Sequence, residues 1–409
     1  MAHPGPGGHR VCFPTPFLRI DSSLAHMVMP KNNTTSSSMS SALAGSKPTA
    51  SVLGNALPSA SNPSSSSDSS SSSSTSRVRF CKNAQCGSLL LASNWDGHLR
   101  LYDASSSTLL TELACEAPAL DCAFAAGGEK CIASLVDGRI LFFDADHTGS
   151  VEIGRHEPSA PTSAASGVKC VEALDENALV ATAGWDKTMR VWDARAASGK
   201  AAYTHNLPGK AFAMAHDGHR RLVVATSGRH VVAFDTRMGV QSISNGAEEE
   251  RESALPYQTR SIALMPDGAG FALGSVEGRA SVEYFGDDAT KRFAFKCHRR
   301  EEVAYPVNAV SFVPREDGSL VFATGGADGT VATWDGNARK RLWQSSAYPC
   351  GLSSLALSHD GSLLAVAASY TWERGSEGDA VIGGGDSSSD TIFVRAMAAK
   401  EVTPKTSKK

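Results

Sequence analysis

The chain has 409 residues, enough for one large domain or two or three ordinary ones. Its formal net charge of −3 argues against a general polyanion binder, although a local basic patch is compatible with this charge. Its nine cysteines are scattered without a C-x-x-C pair, which predicts reduced thiols and argues against structural zinc. No apolar run approaches the roughly 20 residues of a membrane-spanning helix, so no membrane partner is expected.

Residues 1–76 have the composition of a disordered N-terminal region. Serine dominates from residue 37 to residue 76, and such a segment cannot bury enough apolar surface to offset its conformational entropy. It is either a plain linker or a phosphorylated tail. Arg10 and Arg19 leave a transit peptide as the alternative to a disordered leader. The stretch 50–57, ASVLGNAL, is the one candidate for a strand in this region.

From residue 77 onward, a turn followed by a strand recurs along the chain. Each copy has an acid–Gly or Gly–basic turn and then a strand that ends in an aromatic residue. The closing aromatics stand 41 to 50 residues apart, at Tyr102, Phe143, Trp192, Phe234, Tyr284 and Trp334. A seventh, degenerate copy covers 391–397. This period and the Trp-Asp endings predict an all-β, seven-bladed WD-repeat β-propeller over 77–398, with a basic C-terminal tail at 399–409.

A closed ring needs a strand that completes its last blade, because an open propeller would leave strand edges unpaired. The first repeat starts near Arg77, so this closing strand is expected upstream, within 50–57. The Gly-His pair of WD repeats is missing from most copies, which predicts few buried His–Asp networks.

The residues give no support for catalysis. The chain lacks a nucleophile elbow, a phosphate-binding loop and a zinc-type histidine motif, and its twelve histidines stand at no ligand spacing. We therefore predict no catalytic residue, no metal and no cofactor. Four acids could be mistaken for catalytic groups, but their equivalent positions in successive copies predict that they form tight turns: Asp96, Asp137, Asp186 and Asp328.

Trp95 and Trp185 stand immediately before a turn aspartate, where other copies have smaller residues. A turn-adjacent indole lies near one face of the ring. There it either anchors a binding partner or folds over the neighbouring blade, and the sequence leaves both open. Trp192 and Trp334 end strands instead, and they are expected in the core.

A second group of candidates is basic. Seven cations lie between residues 257 and 300: Arg260, Arg279, Lys291, Arg292, Lys296, Arg299 and Arg300. Arg260, Arg279 and Lys296 are embedded in apolar strand sequence, where a cation is costly unless it meets an anion. An acidic or phosphorylated peptide fits such a cluster. Solvated surface charge is the alternative, and the net charge and the lack of a long basic stripe argue against nucleic acid.

Several blocks of the chain resemble the mitotic checkpoint WD-repeat proteins of the Bub family. They are LDCAF at 120–124, AGWDKTMRVWDAR at 183–195, RESALPYQTR at 251–260, SVEGRASVEYF at 275–285, KRFAFKCHR at 291–299 and YPVNAVSF at 305–312. A sister family, the WD-repeat mRNA export factors of the nuclear pore, shares the S-x-E-G-R and F-K-C-H-R elements. The other blocks look more like the checkpoint family.

The resemblance implies a non-enzymatic scaffold of the nucleus and of mitotic kinetochores. Such a protein binds a short motif of a checkpoint kinase or pseudokinase across its top face, and docks on a phosphorylated kinetochore scaffold. By motif, Arg260 and Arg279 would face the phosphate with Lys296 and Arg299 beside them, and the kinase motif would run past Trp95 and Trp185. The alternative is a nuclear-pore-associated mRNA export factor that binds a nucleoporin motif through the same face. Ubiquitin stays open as a further ligand.

Overall fold

The computed structural model describes residues 53–58, 74–144, 149–157, 166–175, 179–196, 199–286, 291–315, 317–371 and 390–404. They form seven four-stranded antiparallel sheets, and the innermost strands of neighbouring sheets pack against one another around the whole ring. The predicted all-β, seven-bladed WD-repeat propeller is therefore confirmed. Within these ranges, no helix has the length and apolar character needed to cross a membrane.

In blades 1 to 6, the strands run in chain order from the innermost to the outermost. Blade 1 comprises Thr75–Phe80, Leu89–Asn94, His98–Asp103 and Thr108–Ala114. Blade 2 comprises Ala119–Ala125, Lys130–Leu135, Arg139–Asp144 and Ser150–Arg155. Blade 3 comprises Val168–Ala173, Leu179–Gly184, Thr188–Asp193 and Tyr203–Asn206. Blade 4 comprises Ala211–His216, Arg221–Thr226, His230–Asp235 and Glu249–Glu252.

Blade 5 comprises Thr259–Leu264, Gly270–Ser275, Arg279–Tyr284 and Phe293–Lys296. Blade 6 comprises Val307–Phe312, Val321–Gly326, Val331–Asp335 and Lys340–Gln344, and a short hairpin, Arg299–Arg300 with Val303–Ala304, lies between blades 5 and 6. Blade 7 comprises Leu352–Leu357, Leu363–Ala368, Thr391–Ala396 and, from the N-terminal side, Asn55–Ala56. Because each blade is a meander, the turns between its second and third strands and the connections between blades share one face, which we call the top face.

The ring is closed by the short strand Asn55–Ala56. Asn55 pairs with Val394 and Ala56 with Phe393, so this strand is the outermost one of blade 7. The Tyr348 hydroxyl donates a hydrogen bond to the carbonyl of Leu53 at 3.1 Å and fixes the approach to it. The closing strand thus falls within the expected stretch 50–57. The segments 1–52 and 59–73, expected to be disordered, lie outside the described residues.

The start of the expected C-terminal tail is folded. Residues Ala399–Val402 form a short helix, and the Thr333 hydroxyl in blade 6 donates a hydrogen bond to the carbonyl of Glu401 at 2.5 Å. Arg395 pairs with Glu401 at 2.5 Å. These contacts hold residues 399–402 against blades 6 and 7.

The repeated turn acids form hairpin turns, as predicted. In each turn, the aspartate Oδ1 accepts a hydrogen bond from the backbone N–H two residues further on, at 3.0 to 3.1 Å. The pairs are Asp96 with His98, Asp137 with Arg139, Asp186 with Thr188 and Asp328 with Thr330. An aspartate that bonds its own backbone in this way stabilises a tight turn.

Two blades of the described part of the chain carry a buried histidine–aspartate network, in agreement with the expectation that such networks are few. In blade 3, His156 lies 2.9 Å from Asp186 and 2.8 Å from Thr182, whose hydroxyl also accepts the Trp192 indole N–H. The same arrangement recurs in blade 6 with His298, Asp328, Thr324 and Trp334. Trp192 is fully buried and Trp334 is half-buried.

The cysteines differ from the expectation at one place. Cys81 and Cys86 form a disulfide across the loop that joins the first two strands of blade 1, so the prediction of reduced thiols is wrong for this pair. A short 3₁₀ turn at Ala84–Cys86 bends the loop back and brings the two residues together, which spacing in the sequence did not reveal. Six further cysteines in the described ranges are buried and take no part in a disulfide there.

Two buried histidines make stability depend on pH. Burial lowers the pKa of His156 and of His216, so both bind a proton less readily in the folded protein than in the unfolded chain. Below about pH 6.5 the unfolded chain then binds more protons than the folded one. We expect the midpoint of urea unfolding to stay level above that pH and to fall as the pH drops from about 6.5 to about 5. His216→Asn should make this fall shallower; an unchanged slope would contradict the assignment.

Candidate functional site

Trp95 and Trp185 occupy the same turn position but different surroundings. Trp95, in the blade 1 turn, leaves 45% of its surface exposed on the top face. Trp185 is half-buried, and its ring lies against Gly167, where a Cβ would come within 2.8 Å of the indole. The Trp185 indole N–H is buried and has no hydrogen-bond partner within the described ranges. Trp185 is thus packed against its neighbours at Gly167, whereas the role of the exposed Trp95 as an anchor for a partner stays a prediction.

The basic residues of blade 5 form an outer group at the top of the blade. Arg279 begins the third strand and Lys296 ends the fourth, and the two are paired across the sheet. Arg299 follows at the start of the short hairpin. It donates from Nη2 to the carbonyl of Glu277 at 2.7 Å and from Nε to that of Gly278 at 3.2 Å. Arg299 thus braces the turn that carries Arg279.

Close packing explains why glycine stands in that turn. Gly278 has a φ of +66°, and a Cβ there would meet the carbonyl oxygens of Cys297, His298 and Tyr305 at 2.9 to 3.2 Å. Only glycine combines this backbone conformation with so close an approach. The turn and the following hairpin therefore pack as one unit, and the side chains of Arg279, Lys296 and Arg299 share one region of the top face.

Arg260 lies on the innermost strand instead, at the central channel. Each innermost strand has a β-bulge at its second residue, and such a bulge re-aims a side chain. The seven bulged positions are Ser76, Leu120, Lys169, Phe212, Arg260, Asn308 and Ser353. Arg260 donates from Nε to Asn308 Oδ1 at 3.3 Å. The four predicted basic residues thus form an inner position, Arg260, and an outer group of three on blade 5 and the hairpin that follows it.

The opening of the channel carries excess positive charge. Burial lowers the pKa of Lys169, and the nearby cations Arg77 and Arg260 lower it further. Asp121 faces the same region, but it is held by Arg79 at 3.0 Å as well as by Arg77 at 3.7 Å. Lys169 and Arg77 were not predicted from the sequence as part of a site. Lys169 could have been predicted, because it stands at the same position of the repeat as Arg260, at the top of an innermost strand.

The outer group is tied to the histidine network of blade 6. Arg300 donates from Nη2 to the carbonyl of Asp328 at 2.7 Å, and His298 is held by the Asp328 carboxylate. Two partly exposed apolar side chains, Tyr257 at 38% and Val303 at 40%, belong to top-face connections beside blade 5. They were not singled out from the sequence, because an isolated apolar residue in a loop carries no signal.

Within the described ranges, no three His, Cys, Asp or Glu side chains lie close enough together to hold a metal ion. What the top face offers is cations, indoles and apolar side chains on rigid turns. This set suits the recognition of an extended, negatively charged peptide, because arginine matches carboxylate and phosphate and aromatic residues supply contact area.

The comparisons with known proteins agree with this fold. The WD domain, G-beta repeat family matches residues 159–193 and 290–335. The class of protein is thus a WD-repeat propeller. The chain is 41% identical to mitotic checkpoint protein BUB3.1 of Arabidopsis thaliana over 81% of its own length and 92% of that protein. It is 34% identical to mitotic checkpoint protein bub3 of Dictyostelium discoideum, over 80% of this chain and 92% of that one.

A poly(A)+ RNA export protein of Schizosaccharomyces pombe is also similar, with 30% identity over 70% of this chain and 79% of that protein. The identity to the checkpoint proteins is higher and extends over more of the chain. The protein therefore belongs to the mitotic checkpoint protein BUB3 family, as the resemblance of its sequence blocks implied. This membership supports the role of a mitotic checkpoint adaptor.

Proposed function

We propose that this protein is a non-enzymatic, phosphopeptide-binding adaptor of the spindle assembly checkpoint, which brings a checkpoint kinase or pseudokinase to a phosphorylated kinetochore scaffold in mitosis. Its place of action would be the nucleus and the kinetochore. The observation that carries the proposal is the arrangement of Arg279, Lys296 and Arg299 on one braced turn and hairpin, with Arg260 on the same blade.

The outer group is suited to a phosphate because its geometry is fixed before the ligand arrives. Arg299 holds the turn by two hydrogen bonds to carbonyls, so the position of Arg279 need not be ordered on binding. The side chain of Arg279 is 34% exposed, and its Nε is buried. Tyr257 and Val303 supply partly exposed apolar surface for residues beside the phosphothreonine.

The channel opening is the second part of the proposed surface. Lys169, Arg77 and Arg260 face one another there, and acidic side chains of a partner motif would relieve their mutual repulsion. Trp185 borders Gly167, where a Cβ would also come within 3.3 Å of Leu120 at a bulged position. A peptide that crosses the channel opening toward the exposed Trp95 would first contact these three cations. It would then contact the two indoles, which lie at the edge of the opening.

An mRNA export role remains the alternative, since an RNA export protein is among the relatives. It would use the same face for a nucleoporin motif. The greater similarity to checkpoint proteins favours the checkpoint role. The net charge of −3 gives no support to direct nucleic-acid binding.

The resemblance to the Bub family implies a kinetochore scaffold with phosphorylated Met-Glu-Leu-Thr repeats, so the proposal is tested with a fluorescent peptide that contains Met-Glu-Leu-phosphothreonine. Two charge-assisted contacts should contribute enough that Arg260→Ala with Arg279→Ala lowers the affinity by roughly 100-fold, as measured by fluorescence anisotropy. The unphosphorylated peptide should bind weakly to the wild type. Capture from mitotic extract then separates the two roles: checkpoint kinases are expected, whereas nucleoporins would support the export role.

A matched control removes the same charge from the other face. Arg220 and Arg237 belong to connections on the bottom of blade 4, and their side chains are 41% and 60% exposed. Arg220→Ala with Arg237→Ala should leave the affinity within about twofold of wild type, since exposed distant charges are screened. If both double variants behaved alike, the phosphate site would lie elsewhere.

A further inference from the structure

Glu277 is an acid inside the outer basic group. Its Oε2 lies 3.6 Å from Arg279 Nε, which is outside hydrogen-bond distance. Its other oxygen, Oε1, is buried and has no hydrogen-bond partner within the described residues, and the same holds for Arg279 Nε. The side chain is only 17% exposed. A carboxylate with one idle buried oxygen is a costly feature that the fold does not itself explain.

The backbone that carries this carboxylate is held by several hydrogen bonds. Glu277 stands in the turn that Arg299 braces through the carbonyls of Glu277 and Gly278. The Glu277 backbone N–H donates to the hydroxyl of Ser275 at 3.3 Å, and Val276 N–H donates to the carbonyl of Gln258 at 3.1 Å. A phosphate that contacts Arg279 would therefore come close to the Glu277 carboxylate, which lies 3.6 Å from Arg279 Nε.

The charged groups around Glu277 are cationic. Arg279 faces it from the same turn and Arg299 from the following hairpin, while Lys296 lies opposite Arg279 on the outer strand. Burial nevertheless raises the pKa of Glu277, against the opposing effect of Arg279 and Arg299. A proton on Glu277 would remove its repulsion toward a second anion and give the idle oxygen a hydrogen to donate.

We infer that Glu277 is a specificity-determining residue of the phosphate site, which opposes a dianionic ligand while ionised and accepts a proton when the phosphate binds to Arg279. This inference rests on the proposed phosphopeptide function, and it adds that protonation of Glu277 regulates phosphopeptide binding. The binding equilibrium is then the association of the phosphorylated peptide and one proton with the protein. Binding should be favoured by mild acid, and a ligand with a single carboxylate should be less sensitive to Glu277 than a phosphate.

A different role for Glu277 makes the opposite prediction. If the carboxylate served only to orient Arg279, its removal would weaken phosphopeptide binding at every pH. If it opposes the phosphate, its removal strengthens binding at neutral pH. The direction of the change in affinity therefore separates the two roles, and a variant of the same shape and no charge is the right probe.

The experiment measures phosphopeptide affinity of the full chain at about pH 7.5 and about pH 5.5, which lie on either side of the second phosphate pKa of about 6. Glu277→Gln should bind about tenfold more tightly than wild type at the higher pH, which is the effect of the repulsion between one carboxylate and a dianion about 6 Å away at a dielectric constant close to that of water. The difference should shrink to below about threefold at the lower pH, where wild-type Glu277 is protonated more readily.

Calorimetry in two buffers of different ionisation enthalpy gives a second readout. At about pH 7.5 the phosphate is mostly dianionic, so proton uptake on binding reports on the protein. Wild type should take up a fraction of a proton and Glu277→Gln distinctly less. Glu302→Gln, which removes an exposed charge from the neighbouring hairpin, is the control and should match wild type in both measurements.

The outcomes are distinct. Tighter binding by Glu277→Gln and by Glu277→Ala, with reduced proton uptake, supports the inference. If wild type binds the phosphopeptide and both Glu277 variants bind equally well or more weakly, the inference is overturned while the phosphopeptide function stands. If wild type does not prefer the phosphorylated peptide over the unphosphorylated one, both are overturned. Thermal unfolding of each variant verifies that the comparisons concern folded protein.

Discussion

Replacing Asp121 by alanine is expected to destabilise the protein by about 3–5 kcal/mol, because it leaves buried arginine without its partner. Asp121 is 5% exposed and belongs to blade 2. Arg79 of blade 1 binds Asp121 at 3.0 Å and Glu172 of blade 3 at 2.5 Å. Asp121 also accepts the backbone N–H of Val171 at 3.1 Å. One carboxylate thus joins three consecutive blades at the channel.

The electrostatic balance at this point supports a large effect. Burial alone would raise the pKa of Asp121, but Arg79 and Arg77 hold it below its ordinary value. Asp121 and Arg79 are therefore both charged, and the carboxylate accepts hydrogen bonds from the guanidinium. Removing the carboxylate leaves the cost of burying Arg79 in place while Glu172 compensates only part of it.

Equilibrium unfolding in urea measures this loss. Asp193→Ala is the matched control, since Asp193 also pairs with an arginine, Arg195, but at a surface where the arginine side chain is 64% exposed. Surface pairs of this kind contribute about 0–1 kcal/mol. A cost for Asp121→Ala as small as that of Asp193→Ala would show that water reaches Arg79 and that the three blades do not depend on this contact.

Asp121 also illustrates which part of the structure could be predicted from sequence. The blades were predictable because each is a local meander, with its turn aspartate bonded two residues along and its strands adjacent in the chain. The network of Asp121 was not, because Arg79 lies 42 residues before it and Glu172 lies 93 residues after Arg79. The sequence repeat predicts the features that all blades share. The contacts of Asp121 join side chains that have no counterpart in the other blades, so the repeat does not predict them.

The candidate site was predictable to a similar degree. The basic residues stood out because they interrupt apolar strands. Their division into Arg260 at the channel and an outer group on blade 5 depends on a β-bulge, which alternation of residue types does not reveal. The role of Arg299 as a brace depends on the hairpin at 299–304. Trp95 and Trp185 differ because a neighbouring glycine, Gly167, makes room for only one of them.

Removing His298 should weaken phosphopeptide binding as well as stability. Its ring bonds Asp328 at 2.9 Å and Thr324 at 2.8 Å, and it lies against Gly326, where a Cβ would approach the ring within 2.4 Å. His298→Ala would leave Asp328 and Thr324 buried without this partner, at a cost of about 2–3 kcal/mol. Lys296 and Arg299 flank His298 in the chain, so the loss should also loosen the outer basic group.

His156→Ala is the matched control, because it removes the equivalent histidine from blade 3. There the ring bonds Asp186 at 2.9 Å and Thr182 at 2.8 Å, and it is as deeply buried. Both variants should lose similar stability in urea unfolding. Only His298→Ala should lower the affinity for the phosphorylated Met-Glu-Leu-Thr peptide, by about tenfold, since only its network holds the hairpin through Asp328 and Arg300.

The comparison separates local support from global stability. A variant that is merely less stable still binds normally as long as nearly all of it is folded, so equal affinities for the two variants would mean that the hairpin keeps its place without His298. A selective loss in His298→Ala would mean that the blade 6 network positions the cations one blade away. The two histidine networks would then serve two parts of one surface, since the Asp186 of the other network directly follows Trp185.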